Sequence, residues 1–248
     1  MRMVIAVPLR SRIGTAAAAL AAACSTAGML ASEASADAAI ETDRSCYLQA
    51  PDTAVSVRGT GFTPGLAFDV ELDGETLTGG ASAIDVDGTM SGSFSPPPLA
   101  SDVVQRRFRL GLRTVEGTPT TDFTVTRLRA SFWPTAGAAA SLRVRFSLFG
   151  FALGGPVEQA YVHYVNPAGK HRKTVALGRP LGQCGAIPKT SRRRLFPFTT
   201  CPGKWKLQFD TRPGYTLGTP RRSFLYYTIS VDVKRRSGAK AAAAGCGA

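Results

Sequence analysis

Apolar and polar residues alternate one for one through much of the chain. Leu66, Phe68, Val70 and Leu72 interleave with Ala67, Asp69, Glu71 and Asp73. The same period of two recurs at Phe108, Leu110 and Leu112, at Leu142, Val144, Phe146 and Leu148, and at Trp205, Leu207 and Phe209. Leu225, Tyr227, Ile229, Val231 and Val233 form the last such stripe. Side chains on a strand point to opposite faces in turn, so each run predicts one buried and one wetted face. Turn chemistry separates the runs: Thr63-Pro64-Gly65, Asp73-Gly74, Asp87-Gly88, Asn166-Pro167-Ala168-Gly169 and Arg212-Pro213-Gly214. No segment beyond Asp37 carries a helical stripe. Short strands punctuated by turns every 8–12 residues or so predict an all-β sandwich or barrel.

An internal echo divides the chain. Gly61-Phe62-Thr63-Pro64-Gly65 follows a strand-like run at 55–58, and Gly150-Phe151-Ala152-Leu153-Gly154 follows another at 142–148. Both read Gly-Phe-x-x-Gly and both precede a further alternating run. They lie 89 residues apart, about the length of one immunoglobulin-type sandwich. The expected role is a strand-to-strand corner, with glycine at positive φ and phenylalanine plugging the end of the core. The predicted organisation is therefore a sandwich over 37–128, a second over 129–236, and an unpacked Ala/Gly-rich tail over 237–248.

The segment before residue 37 reads as a leader. Arg2, Arg10 and Arg12 form a basic head, residues 13–30 are apolar or small, and Ala34-Ser35-Ala36 offers a small-x-small cleavage pattern. This predicts a signal peptide over 1–36 and a secreted or cell-envelope protein. A retained anchor is the alternative, disfavoured by the alanine content and by Ser25 and Thr26. A lipid anchor on Cys24 fits poorly, because Leu20 stands four residues before it.

Export brings an oxidising compartment, so Cys46, Cys184, Cys201 and Cys246 are expected to form disulfides. The expected bridge is Cys184–Cys201, closing an aperiodic loop and contributing about 3 kcal/mol of chain entropy. Cys46 and Cys246 are left to pair with each other or to stay free. No Cys-x-x-Cys pair supports a metal site.

The run Val55 to Gly74, V-S-V-R-G-T-G-F-T-P-G-L-A-F-D-V-E-L-D-G, resembles the early strands of bacterial Ig-like domains of exported actinobacterial proteins. Residues 84–88 and 90–94 resemble the hairpin that follows in those domains, and the resemblance spans roughly residues 46–128. The second half resembles the same architecture more loosely, with Trp205 as its core aromatic. The resemblance implies two tandem immunoglobulin-like β-sandwiches serving as a spacer, adhesion or substrate-positioning module, with no catalytic residues to carry over. Some exported cell-wall transpeptidases place such domains before a cysteine catalytic domain. Their His-x-Gly and Ser-x-Gly-Cys-x-Arg patterns do not follow here, and Gln183-Cys184-Gly185 does not match them.

Charge sharpens the division. The whole chain carries 30 Lys+Arg and 17 Asp+Glu, a formal charge of +13. Residues 37–128 hold 7 basic and 13 acidic residues, a balance of −6; residues 129–248 hold 20 and 3, a balance of +17. Such a field draws polyanions and fades with salt. Basic clusters fall at Lys170, Arg172 and Lys173, at Arg192, Arg193 and Arg194, and at Arg221 and Arg222, with a last group at 234–236. Outside the cell the matching partners are anionic wall polymer, acidic glycan or a membrane surface. Nucleic acid fits less well, because its zinc, recognition-helix and RNP-like signatures are missing.

Other chemistry is sparse. His163 and His171 are the only imidazoles. His163 is expected on a strand, on its less buried face; basic neighbours of His171 disfavour its protonated form. No nearby carboxylate completes a catalytic or metal pair. Asp85-Val86-Asp87-Gly88 reads as a hairpin turn rather than a calcium loop, since residues 89–96 hold no acid. No Gly-x-Ser-x-Gly elbow or phosphate loop is present. Phe132-Trp133-Pro134 is expected to fill the joint between the halves, with an exposed sugar platform as the alternative. The resulting expectation is a non-catalytic envelope protein without cofactor, whose basic second half contacts an anionic partner. A hydrolase or transferase with an unrecognised site in that half, or a plain spacer, are the alternatives.

Overall fold

The computed structural model describes residues 37–153, 155–218 and 224–234. The leader at 1–36, the tail from 237, and Arg221 and Arg222 lie outside the described residues. Every element among the described residues is a strand, as the period of two predicts.

The first half opens with β1 (Ala39–Thr42), β2 (Cys46–Leu48) and β3 (Val55–Thr60). It continues through β4 (Ala67–Leu72), β5 (Glu75–Ala83), β6 (Met90–Phe94), β7 (Gln105–Arg113) and β8 (Thr120–Thr126). Two sheets form, ordered β1-β3-β6 and β2-β8-β7-β4-β5. Their inner faces meet in one core that includes Val55, Phe62, Phe108, Leu110, Phe123 and Val125. The only parallel pairing is β2 on β8; the others are antiparallel.

The second half repeats the plan with β9 (Arg129–Trp133), β10 (Arg143–Phe149), β11 (Ala160–Val165) and β12 (His171–Gly178). β13 (Arg193–Arg194), β14 (Gly203–Asp210) and β15 (Tyr227–Val233) complete it. Its sheets run β9-β10-β13 and β12-β11-β14-β15 around a second core that holds Phe146, Tyr164, Trp205 and Phe209. Both halves therefore show the immunoglobulin strand order, A-B-E facing C′-C-F-G, with β2 added to the first as a strand parallel to G. Trp205 is 1% exposed, and its Nε1–H donates to the Cys201 carbonyl at 3.0 Å. A buried indole needs such a partner.

The Gly-Phe corners occupy the same place in each repeat, just after β3 and just after β10. Gly61 has φ 77° and Gly150 φ 80°, conformations that favour glycine. Phe62 and Phe151 both plug their cores. Gly150 carries a second constraint: a Cβ there would come within 3.0 Å of the Arg127 carbonyl oxygen, so the corner lies against the connection between the halves.

That connection is short. β8 ends at Thr126 and β9 begins at Arg129. The Arg127 guanidinium ties it to the first half, donating to Gln49 Oε1 at 3.1 Å, to the Ser101 carbonyl at 2.9 Å and to the Leu99 carbonyl at 2.7 Å. Phe132 and Trp133 do not fill this joint. Adjacent strand residues face opposite ways, so Phe132 packs on Phe146 in its own core while Trp133 points outward and is 74% exposed.

The disulfide is Cys46–Cys184, with Cα atoms 5.3 Å apart across a sequence separation of 138, not the expected Cys184–Cys201. The reason is which end of the second sandwich each cysteine occupies. Cys184 follows β12, whose Gly178 pairs with Ala160 at the start of β11. Its loop is held beside the Phe151 corner, where the Phe151 and Ala152 amides donate to the Gly185 and Cys184 carbonyls. That is the end where Phe149 pairs with Arg129, next to the first half. Cys201 precedes β14, beyond the opposite end of β11, where Val165 pairs with Lys206. An eight-residue strand such as β14 separates the ends by about 26 Å. Cys201 is itself disulfide-bonded.

Non-reducing peptide mapping should link the peptides of Cys46 and Cys184. A 184–201 peptide would refute the pairing. Cys46→Ser should lower unfolding free energy by about 5 kcal/mol in the chain-entropy picture, with about 2 kcal/mol as the lower bound of common experience, read from urea titration.

Candidate functional site

Two polar features stand out on the second sandwich: its arginine and lysine surface, and a buried cluster around His163.

The basic clusters come together in part. Asn166 closes the β11–β12 hairpin: its amide donates to the Lys170 carbonyl, and its Oδ1 accepts from the Lys170 amide at 2.8 Å. Lys170, Arg172 and Lys173 are exposed at this tip and along the start of β12. Arg193 pairs with buried Val144, so it points toward the inside of the sandwich edge. From there its Nη1 donates to the Ala176 carbonyl of β12 at 2.7 Å, joining β13 to β12. Arg193 thus braces the sandwich as much as it presents charge. Arg192 and Arg194 are exposed, and Arg194 stands directly opposite Arg143 on β10.

Charge compensation differs sharply between the halves. In the first, Arg106 reaches Asp73 at 2.7 Å, Arg113 reaches Asp69 at 2.8 Å and Glu71 at 3.2 Å, and Arg107 and Arg109 approach Asp122. In the second, Arg179 is the only described Lys or Arg with a carboxylate partner, Glu158 at 3.6 Å. Arg212 lies over the Phe224 ring at 4.1 Å.

His163 lies on a strand as expected, but the face expected to be less buried is itself covered. His163 lies on β11 between Val162 and Tyr164, which face the core. It should therefore face solvent, yet it is 0% exposed. Residues 211–218, just after β14, cover it, with the Tyr215 ring 5.7 Å from the imidazole. The register explains the company it keeps: Thr174 of β12 and Gln208 of β14 stand directly opposite His163, and Asp210 lies two residues further along the same face of β14. His163 Nε2 lies 3.0 Å from Asp210 Oδ1, and Nδ1 lies 2.8 Å from Thr174 Oγ1. His171 Nε2 lies 3.0 Å from the same hydroxyl. One arrangement satisfies every group: His171 Nε2–H donates to Thr174 Oγ1, the Thr174 hydroxyl donates to His163 Nδ1, and His163 Nε2–H donates to Asp210.

The remaining bonds fasten the covering loop. The Arg212 amide donates to Asp210 Oδ1 at 2.9 Å, and Gln208 Nε2 donates to Asp210 Oδ2 at 2.8 Å and to the Thr216 carbonyl at 2.7 Å. The Gly218 amide donates to Gln208 Oε1 at 2.9 Å. Tyr215 stacks on His171, with ring planes 5° apart and centroids at 4.9 Å. Burial, with help from Asp210, raises the Tyr215 hydroxyl above the usual phenol range. A buried polar group left unpaired costs about 1–3 kcal/mol, so this saturated network locks the loop down.

Sequence reading missed the site because the carboxylate is 47 residues from His163 and becomes its neighbour only through sheet register. The order acid, imidazole, hydroxyl is the one used to activate a nucleophile. Here the Thr174 hydroxyl is already engaged by two imidazoles. The groove beside the disulfide is lined by Asp43, Arg44, Leu153, Pro156 and Gln183, and its neighbour by Phe151, Val157, Arg212 and Phe224; neither includes His163. Among the described residues no group of three or more His, Cys, Asp or Glu side chains is placed to hold a metal ion. The Asp85–Gly88 segment forms a tight turn, with the Gly88 amide donating to the Asp85 carbonyl at 3.0 Å and Asp87 Oδ1 accepting from the Thr89 hydroxyl at 2.7 Å.

His171 is held below the ordinary histidine value of 6.5, first by burial and then by His163, rather than by the basic residues beside it in sequence. The folded state therefore binds fewer protons at this site than the unfolded chain does. Stability is full above the unfolded value and falls as pH drops through about 6.5 toward the lowered folded value. Thermal melts between about pH 7.5 and 5 should show this loss, and His171→Asn should flatten it; parallel profiles would remove His171 as its source.

No family model matches the chain, and no curated protein matches it. Among solved structures, a pair of titin Ig tandem domains (A164-A165) matches over 79% of this chain and 96% of that one, at 14% identity and a TM-score of 0.28. That score is too low to support an argument; the immunoglobulin-like fold stands on the strand order of the two sandwiches.

Proposed function

We propose that this chain is a non-catalytic, exported Ig-like protein of the cell envelope, of the kind seen in actinobacteria, whose basic second half holds an anionic polymer outside the cell. The observation that carries the reading is the uncompensated charge of that half. Four of the seven Arg of residues 37–128 lie on β7, and each has a carboxylate beside it in the same sheet. Among the described residues the clusters at 170–173 and 192–194 make no ion pair. A surface so built gains by taking up anions from solution. Two disulfide-bonded sites, at Cys46–Cys184 and at Cys201, suit an oxidising compartment. The exported chain should stay on a heparin-type or wall-polymer resin at low salt and elute steeply as ionic strength rises. Lys170→Gln, Arg172→Gln and Lys173→Gln together should shift elution to lower salt. Passage through the resin at low salt would end this reading.

A second reading rests on one observation, the Asp210–His163–Thr174 order. It makes the chain a hydrolase or transferase with Thr174 as nucleophile. That reading requires Thr174 to be labelled by a β-lactone or fluorophosphonate probe, and the label to be lost in Asp210→Asn. An unlabelled wild-type protein would leave the network with its role of fastening the loop.

A further inference from the structure

The outer face of the β9-β10-β13 sheet joins four guanidinium groups to an exposed indole. Val144, Phe146 and Leu148 are fully buried, so Arg143 and Arg145 point away from the core along β10. Register sets Arg194 opposite Arg143 and Trp133 opposite Arg145. Arg192, just before β13, donates from Nε to the Arg143 carbonyl at 3.4 Å. Arg145 donates from Nη1 to the Thr190 carbonyl at 3.2 Å, which fixes its direction. None of the four has an ion-pair partner among the described residues.

Like charges directly opposed across strands, with Cβ atoms about 5 Å apart, repel one another. The first sandwich meets its β7 arginines with aspartates and glutamate; this face does not. An anion bound between Arg143 and Arg194 would relieve the repulsion that their register sets up. Arginine suits an anion of fixed shape, because its planar fork grips a sulfate, phosphate or carboxylate through two parallel hydrogen bonds.

Trp133 narrows the class of anion. It contributes little to the core, which Phe132 fills from the neighbouring position. A bare phosphate chain offers no flat apolar surface for an indole to cover. A sugar ring does, through the C–H groups of one face. Tryptophan and arginine side by side are also the residues most enriched where binding energy concentrates. Successive outward positions on a strand lie about 7 Å apart, so the arginines sample anionic groups along a chain rather than a single ion.

We infer that this face binds an anionic polysaccharide, with Arg143, Arg145, Arg192 and Arg194 on its acidic groups and Trp133 stacked on a sugar ring between them. The inference rests on the anion-binding reading above and names its ligand class and surface.

Three probes separate the sources of negative charge: heparin, long-chain polyphosphate, and phosphatidylglycerol vesicles. The chain has two tryptophans, and Trp205 is buried, so a ligand-induced change in emission reports Trp133. Heparin should change that emission. Trp133→Ala, at an exposed position that leaves the melting temperature unchanged, should weaken heparin binding about fivefold or more and polyphosphate binding less than about twofold. Arg143→Gln with Arg194→Gln should weaken both. Equal effects of Trp133→Ala on the two polyanions, or no effect on either, would overturn the sugar-stacking inference while leaving anion binding in place. Vesicle binding tighter than heparin binding and dependent on Trp133 would assign the face to membranes and overturn it as well. Failure of the wild-type chain to bind any of the three would remove the broader reading together with this one.

Discussion

The bond between Cys46 and Cys184 ties the two halves together across a sequence separation of 138. It joins the first residue of β2 to a loop at the near end of the second sandwich. Beside it the chain itself crosses once, through Arg127 and Leu128, and both of those residues are engaged. Arg127 donates three hydrogen bonds into the first half, and Leu128 packs against the second core. Two sandwiches linked by a short covalent segment would ordinarily swing about it. Here a second covalent connection lies next to the first, and a Cβ at Gly150 would stand only 3.0 Å from the Arg127 carbonyl oxygen of the linker. The second half is therefore held to the first by two covalent connections, the linker and the disulfide, rather than by one.

The two halves are the same scaffold with opposite electrostatic solutions. Strand order, corner glycines and plugging phenylalanines recur at equivalent positions. On the first half, the arginines of β7 and the acids of β4 and β8 interleave, so opposite charges meet across the sheet, a favourable cross-strand arrangement. On the second, acids are nearly absent from the surface. Glu158, Asp210 and Asp232 are the only acids in residues 129–248, and Asp210 is buried, where it accepts hydrogen bonds from Gln208 and the Arg212 amide. The core chemistry is thus shared, and the halves differ in the charge left unpaired outside it.

The period of two and the turn residues made the strands legible, since both are local properties of a pleated chain. The Gly-Phe corners were legible as well, because positive φ and a plugging aromatic are local demands that leave a local mark. The orientation of Trp133 was also there to be read: it neighbours Phe132 on a strand, so the two cannot both face the joint. What the sequence did not disclose depends on register and on the ends of sheets. Cys184 and Cys201 are close along the chain, but a strand length of about 26 Å intervenes once β11 and β14 are paired. His163 and Asp210 are far apart along the chain and are brought together by the same pairing. Nothing in a stretch of sequence around either residue records that coincidence.

A polar network and a basic face on one sandwich divide its two outer surfaces between different tasks. The outer side of β12-β11-β14-β15 is roofed by its own loop, with His163, Gln208 and Asp210 saturated by partners from within the chain. On the outer side of β9-β10-β13, Arg145 and Arg192 reach only backbone carbonyls, and among the described residues none of its arginines has a carboxylate partner. A surface whose polar groups are all satisfied internally gains little from a ligand, because each new bond must replace an existing one. A surface holding opposed guanidinium groups gains from any anion that separates them. On the proposed reading, recognition falls to the sheet that lacks internal compensation, while the hydrogen bonds of the histidine cluster fasten the chain over the opposite face.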